Sequence, residues 1–499
     1  MAHGLSKSRY TQFRCCEKAL WLNKFKPEEA VVDDATQARF DTGSKVGELA
    51  KGLLGPYEEM TTRRPDGHLD YARMIEKTQD AIARGVENIC EAAFSFEGNY
   101  CAVDILHKTD CGYEIYEVKS STEADKDIYA WDIAFQKYVL TGCGLNITRT
   151  YLVCINNQYI RQGDLEIDKF FKIEDIQATV DTEYPNVAAN IQAAKAVLDG
   201  DEPQKPISNA CRSPYLCAFR QYCFRDVPKP SVLDLMNMNY EDRFKYYHNG
   251  IVTFEQAEGL SLTPKQRLQV ECTLSGEEHI DPAGIQDFLD TLWYPMYFLD
   301  FESIMPAIPL YDGTHPFQQV CTQYSLHYRE TENGELLHKE YLAPSKGNPM
   351  RPLAEQMCKD IPADACVIVF NRAFEQTRIR EMAQAFPDLE AKLMVIRENV
   401  RDLLVPFSKG YYYLPSMGGS FSIKSVLPAL FPNDPELDYH ALDEICQNGG
   451  MAMNLFPQLQ DMNPAEEERA RRALLEYCHL DTLAMVKVLE KLYQATKAK

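Results

Sequence analysis

A chain of 499 residues is longer than one ordinary hydrophobic core covers, so two domains with a connecting segment are expected. Its formal charge of -22 excludes a protein that coats nucleic acid or an anionic membrane with its whole surface; a nucleic-acid partner would be met through a local basic groove or through metal ions. The opening MAHGLSKSRYTQFRCC lacks the apolar stretch of a signal peptide, and no run approaches the roughly 20 apolar residues of a membrane span, so a cytoplasmic location without a membrane partner is expected.

Residues 1–225 read as helix, then a strand-rich stretch from about Cys90 to Asn156, then helix and a cysteine-rich tail. Within the strands, NYCAVDILHKTDCGYEIYEVKSS forms a hairpin, with Gly112 easing the reversal. A turn centred between Asp110 and Cys111 sets Asp104 opposite Glu117, and Lys119, two residues on, shares their face. Sixteen cysteines in a reducing compartment are not disulfides. Cys90, Cys101, Cys143 and Cys154, on apolar segments, read as small core residues, whereas CRSPYLCAFRQYC groups Cys211, Cys217 and Cys223 as ligands.

The acid, acid and lysine of this hairpin resemble the PD-(D/E)xK nuclease core, in its RecB and AddB type, which includes CRISPR-associated exonucleases. The resemblance implies that Asp104 and Glu117 bind a metal ion while Lys119 positions or activates water and offsets charge in the transition state. A subset of these nucleases staples the domain ends with an iron-sulfur cluster held by one early and three late cysteines. Aligned on CEKALWL, Cys16 joins Cys211, Cys217 and Cys223, and Cys15 is the spare. The five-and-five spacing of the late cysteines departs from the commoner pattern, and four thiolates suit zinc as well as a 4Fe-4S cluster. Gly47 stands where many relatives carry a metal-binding histidine, and Glu91 is the candidate to supply the absent ligand. Of the downstream Gln-x-x-x-Tyr signature, Gln136 is present as a nucleic-acid contact and Leu140 replaces the tyrosine.

Residues 226–290 are polar and mostly helical, with turn signals at HNG and LSGEE, and read as a helical connector. In 291–499 the strands MYFLDFE, TQYSLHY, ELLHKEYLA and ACVIVF alternate with helices, which makes this half a second α/β domain. On the first strand Asp300 and Glu302 point the same way. Asn371 is placed to cap a helix with Glu375 in its first turn, and Asn463 with Pro464 opens the last helix, on which Tyr477 and Asp481 are one turn apart.

DFE, NRAFE and YCHLD follow the order of the motifs of DnaQ-like 3'-to-5' exonucleases, in the tyrosine version of the third motif, and the second half resembles that superfamily and its ribonuclease H fold. The resemblance implies two Mg²⁺ or Mn²⁺ ions held by Asp300, Glu302, Glu375 and Asp481, with Tyr477 orienting the attacking water. Glu375 departs from the usual aspartate. Lys424, in GGSFSIKSVLPAL, is a candidate phosphate contact. Over nearly its full length the chain resembles a bacterial family that joins a RecB-like iron-sulfur nuclease to a DnaQ-like domain. The activity expected from that resemblance is metal-dependent cleavage of nucleic acid, DNA ends or single strands first. The alternatives are an RNA-directed exonuclease and a catalytically decayed nucleic-acid-binding scaffold.

Overall fold

The structure is a computed structural model that describes residues 4–123 and 126–497. The chain is mixed α/β and divides into two compact units, one of 1–226 with 306–317, the other of 227–305 with 318–499. Among the described residues, no helix is long and apolar enough to cross a membrane.

The first unit is built on a six-stranded sheet of β1 (Glu58–Glu59), β2 (Asn88–Phe96), β3 (Asn99–Thr109), β4 (Gly112–Lys119), β5 (Ile147–Ile155) and β6 (Phe171–Asp175), paired in chain order. The β3–β4 register runs from Thr109 opposite Gly112 to Ile105 opposite Tyr116, so the next pair along is Asp104 and Glu117, as the turn chemistry predicts. Helix Lys126–Gly142 packs Ile133, Ala134, Phe135, Val139 and Leu140 into the core formed by the sheet's Ala92, Phe94, Val103 and Leu152. Cys90, Cys101 and Cys154 are buried as expected, but Cys143 is exposed, because it falls just beyond the end of that helix.

The second unit contains β7 (His279–Ile280), β8 (Met296–Ile304), β9 (Val320–Arg329), β10 (Leu337–Leu342), β11 (Cys366–Val369), β12 (Val400–Asp402) and β13 (Tyr412–Tyr413). Five of them form a sheet in the order β10-β9-β8-β11-β12, with β8, β9 and β10 antiparallel and β11 and β12 parallel to β8. β8 is the central strand, and it is covered on both faces. Tyr297, Leu299 and Phe301 enter a core with helices Met350–Asp360, Arg372–Ala385 and Glu390–Glu398, while Met296 and Phe298 enter the core that holds the C-terminal helix Pro464–Ala495. Strands buried on both sides read as continuous apolar runs, which is why the acids of MYFLDFES stand out.

The C-terminal helix starts where its sequence dictates. Asn463 Oδ1 accepts from the amides of Ala465 and Glu466, the Asn463 N–H donates to the Glu466 carboxylate, and Pro464 occupies the first turn. Asn371 differs from expectation. It lies before the helix Arg372–Ala385 in the left-handed region at φ 75°, caps nothing with its side chain, and donates its backbone N–H to Asp402.

Two expected boundaries also differ. The segment 226–290 is not a separate connector, since Met236, Cys272, Ile285, Phe288 and Leu289 share a core with Phe298 and the C-terminal helix. Residues 306–317, between β8 and β9, belong to the first unit, where Arg161 donates to the Pro309 carbonyl at 2.9 Å and Ala307 packs with Tyr159 and Phe170. Ile285→Ala should therefore lower the stability of the second unit by about 2–5 kcal/mol in urea unfolding. A change under about 0.5 kcal/mol, the range of a surface substitution, would separate the segment from that core.

Candidate functional site

In the second unit, β8 presents Asp300 and Glu302 toward the C-terminal helix, and Asp481 on that helix completes a group whose carboxylate oxygens lie within 4.8 Å of one another. Cys478, three residues before Asp481, sets its sulfur 3.8 Å from the Asp300 carbonyl, which fixes the helix directly over the strand. Tyr439 donates its hydroxyl to Asp481, and Tyr477, one turn before Asp481, lies in the field of the same carboxylate. The backbone comes close at Gly449, where an added Cβ would stand 3.6 Å from the Tyr477 hydroxyl and 3.8 Å from Glu302.

Burial pushes Asp300 well above the ordinary carboxylate range, and Asp481, Glu302 and Glu375 add to it in that order. Glu302 is raised in the same way, by burial and then by Asp481. Asp481 reaches about 6, because burial outweighs the lowering by Tyr439, Tyr477 and Lys424. Glu375 is only 3% exposed, has one carboxylate oxygen without a hydrogen-bond partner, and is pushed by burial to about 8. Both tyrosine hydroxyls are driven upward by burial and then by Asp481, so they act as proton donors and not as bases.

The structure thus brings Asp300, Glu302 and Asp481 together, sets Glu375 close enough to act on Asp300, and adds Tyr477 as expected. Tyr439 was not legible in the sequence, since its loop carries no motif. Lys424 is exposed in the first turn of helix Ile423–Leu430 and acts electrostatically on Glu302 and Asp481. One marginal lysine against four carboxylates leaves a large charge deficit, and the all-oxygen donor set with an orphaned buried oxygen on Glu375 fits hard divalent cations.

The first unit gathers a different mixture. The β2–β3 and β3–β4 registers place Glu91, Asp104 and Glu117 in one row across three strands. Glu91 adopts φ 54°, a strained value for a non-glycine residue, where the pairing skips from Cys90 to Ala92. Lys119 Nζ donates to Glu117 at 2.6 Å and to Asp132 at 3.2 Å. Lys7, from the first helix, donates to Glu117 at 3.0 Å and lies 3.8 Å from Asp104 and 3.9 Å from Asp132. Gln136, read from the sequence as a nucleic-acid contact, is instead fully buried, and its amide donates to Glu117 at 2.7 Å and to Asp132 at 3.0 Å. Gly47 lies on helix Asp34–Ala50 with nothing within 4 Å of where a Cβ would be.

Lys7 and Asp132 were missed. Asp132 precedes Gln136 by one helical turn and could have been found from that spacing, whereas Lys7 is 110 residues from Glu117 and left no signal. Burial works against the charge on both lysines, but the acids outweigh it: Lys7 stays well above its ordinary value through Asp132, Glu117 and Asp104, and Lys119 through Glu117 and Asp132. Glu117 goes the other way, held well below the carboxylate range because Lys119 and Lys7 overcome its burial. Burial followed by the neighbouring acid raises Asp104 to about 6 and Glu91 to about 7. Two lysines among Glu91, Asp104, Glu117 and Asp132 leave a deficit of two positive charges, which matches one divalent ion.

Cys16, Cys211, Cys217 and Cys223 fall into one electrostatic neighbourhood in which burial first, then the other sulfurs, raise Cys217 to about 11. Cys16 stands at the N-cap position of helix Glu17–Phe25 with no capping bond from its side chain. Cys15 interacts with Cys16 and not with the three late cysteines, in keeping with its reading as the spare. Arg220 beside Cys211 and Lys18 beside Cys223 offset thiolate charge. Four free sulfurs with cations at their edge fit either an iron-sulfur cluster or zinc.

Residues 297–422 match a family described as a domain of unknown function, DUF2779. The match takes in Asp300, Glu302 and Glu375 and stops short of Lys424, Tyr477 and Asp481. The chain is similar to the uncharacterized protein UU173 of Ureaplasma parvum, 28% identical over 228 residues that make up 40% of this chain and 32% of the relative. It is also similar to the uncharacterized protein MG366 of Mycoplasma genitalium, 27% identical over 209 residues, 38% of this chain and 31% of the relative. The chain thus spans about a third of the length of these relatives. No solved structure matches it.

Glu375 ionises at 4.5 when unfolded and at about 8 when folded, so the unfolded chain loses its proton first as pH rises, and stability present below 4.5 is lost on the way to 8. The metal-free protein should melt at progressively lower temperature across that window, and Mg²⁺ or Mn²⁺ or Glu375→Gln should flatten the decline in differential scanning calorimetry. For the cysteines, protein isolated without oxygen should be brown with a visible absorption band that Cys217→Ser removes; a colourless protein with one equivalent of zinc would assign the site to zinc.

Proposed function

We propose that the chain is a metal-dependent nuclease acting on nucleic acid, with a hydrolytic centre in the second unit and a further nuclease centre in the first. The observation that carries this reading is the convergence of Asp300, Glu302 and Asp481 from one strand and one helix, beside Glu375 with its unpaired buried oxygen. Clustered buried carboxylates with one exposed lysine nearby are costly unless cations join them. Mg²⁺ or Mn²⁺ supplies there the positive charge that the attacking and leaving oxygens of a phosphodiester require. In this reading the chain is a RecB-like nuclease joined to a DnaQ-like exonuclease, with DNA ends or single strands as substrate. The support is the Asp-x-Glu on the first strand of the five-stranded sheet and the Tyr-x-x-x-Asp on the helix over it.

Within the second centre Asp300, Glu302, Asp481 and Glu375 bind the ions, and Tyr477, kept protonated, donates to and orients the attacking water. Tyr439 holds Asp481 in place, and Lys424 at the exposed edge meets a substrate phosphate. In the first centre Glu91, Asp104 and Glu117 form the ion-binding row and Gln136 orients Glu117. Lys119, fully charged, offsets transition-state charge and does not serve as a base.

One observation favours a second reading of the first centre alone: Lys7 lies among Glu117, Asp104 and Asp132, where its ammonium does a cation's work. There the first unit binds nucleic acid without cutting it.

The test is digestion of end-labelled single-stranded DNA and matched RNA by full-length protein prepared without oxygen, with Mn²⁺ present. Asp300→Ala should lower the rate roughly 100- to 1000-fold, the scale of losing one stabiliser of transition-state charge. Lys119→Ala should remove a separate share of the digestion. Loss with Asp300→Ala but none with Lys119→Ala selects the binding-only reading of the first unit, and unchanged digestion by the double variant overturns both assignments.

A further inference from the structure

Three histidines of the second unit meet beside the acidic centre and take no part in it. His327 on β9 is directly paired with His338 on β10, and His479 descends on both from the C-terminal helix. Their ring centroids are 4.5 Å apart for His327 and His338, 4.7 Å for His327 and His479, and 4.3 Å for His338 and His479. One ring nitrogen from each lies within 4.8 Å of the others. His327 is buried at 4% exposure and the other two are half-buried.

Two hydroxyls engage one nitrogen of two of these rings. Thr482 Oγ1 lies 2.8 Å from His327 Nδ1, Ser325 Oγ lies 2.9 Å from His338 Nε2, and the two hydroxyls are 2.7 Å apart. Thr482 in turn reaches the His479 carbonyl at 3.1 Å. One consistent set of protons runs from His338 Nε2–H to Ser325, from Ser325 to Thr482, from His327 Nδ1–H to Thr482, and from Thr482 to that carbonyl. It leaves the lone pairs of His327 Nε2 and His338 Nδ1 available to a ligand. Metal-binding imidazoles are oriented in this way, by a hydrogen bond from the nitrogen that does not ligate.

We propose that His327, His338 and His479 form a zinc site, with water in the fourth position, that clips the C-terminal helix to the β9–β10 edge of the sheet. Neutral nitrogen donors suit this borderline ion, whereas Mg²⁺ and Mn²⁺ prefer the all-oxygen group of Asp300, Glu302 and Asp481, so one helix serves two metals of different class. The clip links three elements, and the helix it fastens carries Tyr477 and Asp481. It stands on the imidazole geometry and does not depend on the nuclease reading.

The test titrates chelator-stripped full-length protein with Co²⁺, read by visible absorption, and with Zn²⁺, read by bound-metal analysis and thermal melting. The wild-type chain should show an intense ligand-field band of a four-coordinate, nitrogen-bound Co²⁺ and should melt higher with zinc. His338→Gln, at the edge of the sheet, should lose that band, one zinc equivalent and the zinc-dependent rise in melting. The near-ultraviolet thiolate-to-cobalt absorption of the cysteine group should be unaffected. Thr482→Val, which keeps all three imidazoles, should weaken this site about 10- to 100-fold, the range for removing an orienting partner. Wild-type spectra, stoichiometry and affinity in both folded variants would overturn the proposal.

Discussion

Carboxylates gathered where water is scarce repel one another, and the second unit is organised around that repulsion. Two unit charges 4 Å apart interact by about 4 kcal/mol at an effective dielectric of 20, and Asp300, Glu302 and Asp481 have oxygens within 4.8 Å of each other. Nothing in a folding chain draws such groups together unless the surrounding structure forces them. The forcing comes from β8, packed on both faces, and from a 32-residue helix whose start is set at Asn463 and whose Cys478 rests against the Asp300 backbone. The outcome is a rigid pocket of negative potential that ionises fully only when positive charge enters.

The first unit handles the same difficulty by other means. Its row of acids lies among Lys7 and Lys119, which let Glu117 ionise in a nearly solvent-free position while Asp104 and Glu91 stay raised. The two centres therefore differ in how much outside charge they call for: two lysines offset half of the four acids in the first, and one exposed lysine stands near the four acids of the second. The contrast matters for function, because acids with internal cations ionise without metal, whereas acids without them do so fully only when a cation enters. The DUF2779 match falls on the strands and helix that supply Asp300, Glu302 and Glu375, and so on the centre that demands charge from outside.

Much of each site was legible because it is written in local periodicity. The turn around Asp110 and Cys111 sets the β3–β4 register, and register alone puts Asp104 against Glu117 with Lys119 beyond. Period two on β8 pairs Asp300 with Glu302, and one helical turn relates Tyr477 to Asp481. Where local rules were outvoted, packing was the reason. Asn371 gave up its cap to a left-handed conformation tied to Asp402, and the polar helices of 227–290 joined a core whose other walls lie much later in the chain.

By itself, then, the amino-acid order determined which acids share a face, where the long helix begins, and that Cys211, Cys217 and Cys223 stand within one short segment, since turn chemistry, capping and strand alternation act over a few residues. Only the tertiary structure decided that Lys7 would reach Glu117, that Tyr439 would bind Asp481, that Gln136 would be buried as a brace, and that three histidines from two strands and a helix would meet. Those contacts join residues from 11 to more than a hundred positions apart. No short-range rule encodes them, because they arise when separate elements compete to bury the same surface.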